Sequence, residues 1–187
     1  MGLDHLSGLG RLAERCAADL EALVRRYAEL VAATIAAGRT VFFAGNGGSA
    51  AHAQHIATEY VVRFRPVSRR AVPALSLTSD SSLLTAAAND LGFDEIFARQ
   101  VEAHARAGDL LVLVSTSGRS PNLVKAAEAA RARGVRTVGL LAKDGGALAK
   151  LVDLAVIVPT DDTAHAQEIQ LAIDHHVCSL VEAGLAP

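Results

Sequence analysis

Five short apolar runs, each followed by a helical pattern, constrain this chain more than any other feature. They fall at residues 40–45, 73–77, 110–115, 136–141 and 154–158, and they are mainly apolar rather than alternating. A strand with one wet face alternates polar and apolar residues. A continuously apolar strand is buried on both faces, as in a parallel sheet covered by helices above and below. Helical spacing fills the intervals at 49–64, 81–88, 95–107, 121–133 and 163–183, with a short turn at 147–151. Alternation of this kind predicts an α/β protein, a three-layer α-β-α sandwich around a five-stranded parallel sheet.

Ahead of the first strand, residues 3–37 read as one long helix or two in tandem. Leu12, Cys16, Leu20, Leu23, Tyr27, Leu30, Val31 and Ile35 recur at three- and four-residue spacing, and Gly38 is a plausible stop. That apolar face either covers the domain's own core or receives a partner; both readings stay open. A length of 187 residues suits one domain, a helical segment at 1–37 and an α/β core at 38–187, without repeats or linkers.

Hydrophobic residues make up 51% of the chain but aromatics only 4%, so the core must be mostly Ala, Leu and Val. The formal net charge of −2, with acids and bases interleaved, gives neither the basic footprint nor the aromatic–basic platform of a nucleic-acid binder. A small anion remains a candidate ligand, because local dipoles bind phosphate without overall basic charge. Cys16 and Cys178 read as buried thiols in a reducing compartment. Asp4 and Glu14 interrupt the first segment, unlike a secretory signal, and no apolar stretch is long enough to span a membrane. A cytosolic protein is expected.

In an open parallel sheet, ligands bind beyond the carboxyl ends of the strands. Two strand ends share a layout suited to this. Residues 41–44 run into Gly45-Asn46-Gly47-Gly48-Ser49 and then a helix; residues 110–114 run into Ser115-Thr116-Ser117-Gly118-Arg119-Ser120-Pro121 and then a helix. Glycines admit close backbone approach, and a helix N-terminus offers unpaired N–H donors and partial positive charge. Ser115, Thr116, Ser117 and Ser120 add hydroxyls. The bland alternative is that the glycines turn and Ser120 caps its helix ahead of Pro121. Neither loop is a dinucleotide fingerprint or a Gly-Lys-Ser/Thr P-loop.

These and further segments resemble the phosphoheptose isomerases of the sugar isomerase (SIS) domain family: Gly45 to Ala51, Ala53-Gln54-His55, Glu59, Ala88-Asn89-Asp90, Ser115 to Gly118, Lys143-Asp144-Gly145-Gly146 and Gln167-Glu168, in the family's order. The resemblance runs from about residue 20 to 185. It implies a flavodoxin-like SIS fold and a homotetramer with active sites at subunit interfaces. The implied reaction converts sedoheptulose 7-phosphate into D-glycero-D-manno-heptose 7-phosphate. It matches Glu59 and His175 to the catalytic pair, and His55, Glu59, Gln167 and His175 to the four ligands of a Zn²⁺ ion. The candidate substrate-binding residues are Asn46, Gly47, Gly48, Ser49 and the four loop hydroxyls of the two turns, Arg63 on the face of His55 and Glu59, and, by the family match, Asp90 and Gln167.

Some positions depart from the family. His52 stands where Asp is common, Arg119 replaces Asn, His165-Ala166 replaces Arg-Ile, and Gln170 replaces a frequent His. His52, three residues before His55, is expected to share its face with His55 and Glu59 and to alter the metal site.

Read from spacing alone, His55, Glu59 and Arg63 at i, i+4, i+8 line one helix face. That face is either a site wall or a solvated surface with a Glu59–Arg63 ion pair. Aldose–ketose isomerisation passes a proton between C1 and C2 through an enediolate, which needs a base and a group that polarises the oxygens. A carboxylate on metal is a poorer base, so either Glu59 leaves the metal in turnover or the metal is structural or inhibitory. Gln167 and His175 are eight residues apart, about 12 Å along a helix and about 80° around it, which favours sites shared between chains and an obligate oligomer. Asp90 is a sugar-hydroxyl ligand or a turn residue. Asp162 and Thr163 read as a helix cap, His5 and His104 as exposed helix residues, and His176 as turned away from Gln167. A non-catalytic adaptor resembling the bacterial replication-initiator-binding regulator, or a sugar-phosphate sensor, would keep this fold but would not need the Glu59 and His175 pair; an isomerase of another sugar phosphate would keep both, and the departures at 52, 119, 165 and 170 bear on that choice of substrate.

Overall fold

The computed structural model describes residues 4–65 and 69–185; the expected helix start at residue 3 lies outside them. Two tandem helices come first, α1 (Asp4–Asp19) and α2 (Glu21–Ala36). There follow β1 (Val41–Gly45), α3 (Gly48–Val61), β2 (Ala74–Ser76), α4 (Ser81–Asp90), α5 (Ala98–His104), β3 (Leu110–Ser115), α6 (Pro121–Ala132), β4 (Arg136–Ala142), β5 (Leu154–Val158) and α7 (Thr163–Ala183). The expected helix over 95–107 divides into a single 3₁₀ turn at Phe93–Glu95 and the shorter α5. The turn near 147–151 is likewise 3₁₀.

All five strands are parallel, in the order β2-β1-β3-β4-β5. Alternate residues of each central strand enter opposite cores. Val41, Phe43, Leu110, Val112 and Val114 pack under α1, α2, α3 and α7. Phe42, Ala44, Leu111 and Leu113 pack under α5 and α6, with Leu77, Ala87 and Leu148. Two buried faces are the physical reason that these strands carry no polar alternation. The edge strand β2 is the exception, with Leu75 exposed.

The N-terminal helices cover the chain's own core. α2 buries Val24, Tyr27, Val31 and Ile35, whereas α1 buries only Leu12 and Cys16. Both cysteines are free and buried. Among the described residues no helix is long and apolar enough to cross a membrane.

This strand order has its switch point between β1 and β3, where successive crossovers leave in opposite directions and open a crevice above the carboxyl ends. The Gly45–Ser49 and Ser115–Pro121 turns therefore lie side by side.

Candidate active site

The two turns are built around glycine. A Cβ on Gly45 would lie 2.6 Å from the Ser49 carbonyl oxygen, so only glycine allows β1 to turn this tightly into α3. Gly118 has a φ of +62°, and its Cβ would meet the Gly145 carbonyl oxygen at 1.9 Å. The serine-rich turn is thus braced on the loop after β4, where Leu148 N–H also donates to the Gly118 carbonyl (3.0 Å). Gly118→Ala combines a left-handed backbone with a backbone clash and is expected to cost about 2 kcal/mol or more. Thermal unfolding and phosphate binding, measured together, check this: both should weaken.

Asn46 and Asn122 join the turns by two reciprocal amide hydrogen bonds, each 2.9 Å. Ser49 is buried under the first turn of α3. Ser115 Oγ accepts from Gly118 N–H (3.0 Å), and Ser117 Oγ accepts from Arg119 N–H (3.3 Å). Ser120 occupies the N-cap position of α6 but its side chain makes no capping bond. Its hydroxyl and that of Thr116 are therefore not consumed by helix capping. Arg119 points outward to an ion pair with Asp144.

From the first turn α3 runs beside α7 in the same direction. Gly48 faces Gln167, His52 faces Asp174, and Phe64 faces Glu182. This packing brings His55, Glu59 and His175 together, with donor atoms all within 4.8 Å of one another. His55 Nε2 lies 3.1 Å from Glu59 Oε1 and 3.4 Å from His175 Nε2. The His175 ring stacks on Phe64, centroids 5.3 Å apart. Partial burial, with the neighbouring His55 adding to it, lowers the His175 pKa below the usual 6.5. The imidazole is neutral at pH 7, the form that accepts a proton or ligates a metal.

The other expected site residues lie elsewhere in the chain. Gln167 packs on Gly48, whose Cβ would lie 2.7 Å from Gln167 Nε2. That point is seven residues, about 10 Å along α3, from His55. Arg63 is exposed beyond the end of α3, and Glu59 pairs with His55 instead of Arg63. Asp90 is exposed at the end of α4, bonded to Asn89, in a groove with Leu83 and Arg99. Asp162 caps α7 as expected, accepting from His165 N–H at 3.0 Å.

His52 corrects part of an expectation. It lies on the same side of α3 as Glu59, but its ring is buried and bonded to the core, where Nε2 meets Asp174 Oδ2 at 2.7 Å, and it is not among the three clustered ligands. The Tyr27 hydroxyl donates to Asp174 Oδ1, also at 2.7 Å, so an imidazole, a carboxylate and a phenol form a buried chain beneath the site. Three and four residues on a helix are both near one face; which of them meets the neighbouring helix depends on where that helix lies. Gln170 is also buried, donating to the Leu140 carbonyl at 2.9 Å.

Residue patterns alone did not mark Asn122, Asp174, Arg69 or Glu182. Asp174 carried a usable signal, since it falls at core spacing between Gln170, Ile173 and Val177 on α7. An acid there must be paired. Arg69 and Glu182 lie in segments without periodicity that would connect them. They form a buried ion pair that holds the C-terminal ends of α3 and α7 together.

The chain matches the family model described as the SIS domain over residues 5–142. It is 52% identical over 169 residues to a phosphoheptose isomerase of Geobacter sulfurreducens, covering 90% of this chain and 89% of that protein. With a phosphoheptose isomerase of Pelobacter propionicus it shares 51% over 174 residues, covering 93% and 92%. Among solved structures it is similar to phosphoheptose isomerase GmhA from Neisseria gonorrhoeae (TM-score 0.91, 36% identity, 96% of each chain). A phosphoheptose isomerase from Francisella tularensis superposes with a TM-score of 0.93 at 30% identity, covering 96% of this chain and 95% of that one. With a family model over most of its length and relatives about half identical over nearly all of it, the chain belongs to the SIS domain family, among the phosphoheptose isomerases.

Proposed function

We propose that this chain is an aldose–ketose isomerase that converts sedoheptulose 7-phosphate into D-glycero-D-manno-heptose 7-phosphate through an enediolate. One observation carries the reading: the His175 imidazole on α7 meets the Glu59 carboxylate on α3, the helix whose N-terminus forms the anion turn. The N–H donors of Gly47 and Gly48, with the hydroxyls of Ser115, Thr116, Ser117 and Ser120, suit the phosphate oxygens, while Ser49 N–H donates to the Asn46 carbonyl (3.0 Å). Held at that end, the sugar extends toward α7 and its reacting carbons come within reach of Glu59 and His175. Glu59 would take the proton between C1 and C2, and His175 would exchange a proton with the neighbouring oxygen. Gln167, at Gly48, lies at the phosphate end and suits the phosphate or the sugar hydroxyl beside it.

His55, Glu59 and His175 present two imidazoles and one carboxylate at one point, a donor set that fits Zn²⁺. Zn²⁺ bound there would polarise a sugar oxygen as a Lewis acid. Gln167 is the fourth ligand of this reading. Its place at Gly48, and those of Arg63 and Asp90 away from the cluster, support active sites completed between subunits of a cytosolic homotetramer, each subunit a single domain. Specific activity should then fall on dilution to monomers, checked by activity and light scattering on the same samples. A fully active monomer would overturn the shared site.

Incubating the protein with sedoheptulose 7-phosphate and following the aldose by NMR tests the reading. Product is expected to appear, to diminish with chelator and to return with added zinc. No aldose after prolonged incubation would remove the isomerase assignment in favour of an adaptor on the same fold.

A further inference from the structure

A second cluster of metal-ligating side chains lies outside the site above, where α1 crosses the first turns of α7. His5 Nε2 is 2.9 Å and 3.1 Å from the two oxygens of Glu168. The His165 ring lies against that of His5, centroids 4.3 Å apart. One ligand atom from each of His5, His165 and Glu168 falls within 4.8 Å of the others. His165 and Glu168 are three residues apart on α7 and so project from one face. An ion pair between His5 and Glu168 would need no second imidazole. The fold nevertheless makes room for one. Gly8 sits inside α1, where glycine is a poor helix former, and its Cβ would lie 3.0 Å from His165 Cε1. The missing side chain is the space that the His165 ring occupies.

We propose that His5, His165 and Glu168 form a second divalent-metal site, suited to Zn²⁺, that clamps the first turn of α1 onto α7. Two imidazole nitrogens and a carboxylate oxygen are three of the four ligands of a tetrahedral zinc, with water as the fourth. His165 Nε2 now contacts the His5 carbonyl oxygen (3.0 Å) and its Nδ1 lies 4.0 Å from Asp162 Oδ2. Either ring nitrogen can turn to the metal with a small rotation, and Asp162 or the carbonyl then orients the other. α1 gains most from such a clamp, because it buries only Leu12 and Cys16 and neither lies in its first two turns. Glu168 and His175 are seven residues apart, about 10 Å along α7, so the two clusters are separate sites. The clamp does not depend on the isomerase reading.

The test uses the full chain, stripped of metal, with His55→Ala and His175→Ala removing the other cluster. Zinc is titrated against a chromophoric chelator. One zinc per chain is expected to bind, and amide exchange of α1 near His5 is expected to slow as it does. Adding His5→Ala and His165→Ala should abolish both effects. Gly8→Ala keeps every ligand but displaces the His165 ring, and should weaken binding about tenfold or more. Circular dichroism of each variant confirms folding. In the otherwise wild-type chain, His165→Ala should lower bound zinc by one per chain, which covers a failure of the multiple variants to fold. Absence of zinc binding in the His55→Ala/His175→Ala chain, or binding unchanged by loss of His5 and His165, overturns the proposal.

Discussion

Glu59→Gln and His175→Gln are each expected to lower turnover of sedoheptulose 7-phosphate by about 10²- to 10⁴-fold, the range for removing a positioned acid or base. Both substitutions nearly preserve size and hydrogen-bonding reach, so the fold and the phosphate turns should survive. Inorganic phosphate or a non-reacting sugar phosphate should then bind within about threefold of wild type, since the anion contacts sit at the other end of the site. The effect belongs in kcat rather than KM, because the lost interactions act on the reacting carbons. The two residues approach through His55, which contacts both, so the double variant should be little worse than either single one. NMR-monitored isomerisation and calorimetric phosphate binding on the same preparations check this. Wild-type rates in both variants would remove Glu59 and His175 from their assigned roles.

Arg69→Ala should cost about 3–5 kcal/mol, the penalty for leaving one charge of a buried pair alone. In a chain of this size that lowers the Tm by about 10 °C. Arg69 Nε lies 2.5 Å from Glu182 Oε1, and both side chains are almost fully buried. The guanidinium also donates to the Tyr60 carbonyl (2.7 Å) and the Glu59 carbonyl, closing the C-terminal turn of α3. Glu182 accepts in addition from Phe64 N–H (2.8 Å) and Arg65 N–H (3.0 Å). Burial by itself would raise the Glu182 pKa, but Arg69 and these two amides outweigh it and hold the group below the usual 4.5.

A carboxylate whose folded pKa is depressed adds stability above its unfolded pKa, and that stability is lost as pH falls through the folded value. The wild-type protein should therefore lose this contribution in acid, starting near pH 4.5, and Arg69→Ala should lack that part of the acid sensitivity. Scanning calorimetry at neutral and acid pH measures both. The same variant should also lower kcat, because the clamp fixes the end of α3 that carries Glu59 beside the end of α7 beyond His175. A Tm within about 2 °C of wild type would show that the pair does not hold the helices.

Much of the fold was legible because it depends on local and periodic properties. Leu110–Ser115 and Leu154–Val158 are strands over the residues expected, and Thr163–Ala183 is a helix over the residues expected. Helix ends were less legible. α3 stops at Val61 rather than near residue 64, since Arg69 supplies the hydrogen bonds that end it, and that arginine reaches back from the next segment. The division of 95–107 into a 3₁₀ turn and α5 likewise leaves no mark in apolar spacing.

The sequence by itself determined that the sheet is parallel and buried on both faces, that glycine- and hydroxyl-rich turns close its first and third strands, and that His55 and Glu59 share a helix face. Each of these follows from neighbouring residues and a fixed period. Only the tertiary structure decided that His175 completes that face, that His52 pairs with Asp174 instead, that Gln167 sits at Gly48, and that His5 reaches His165 and Glu168. These contacts join residues more than a hundred positions apart, set by how α3 and α1 lie against α7. Periodicity shows which side of a helix is apolar; it does not show which polar group on another helix will stand opposite.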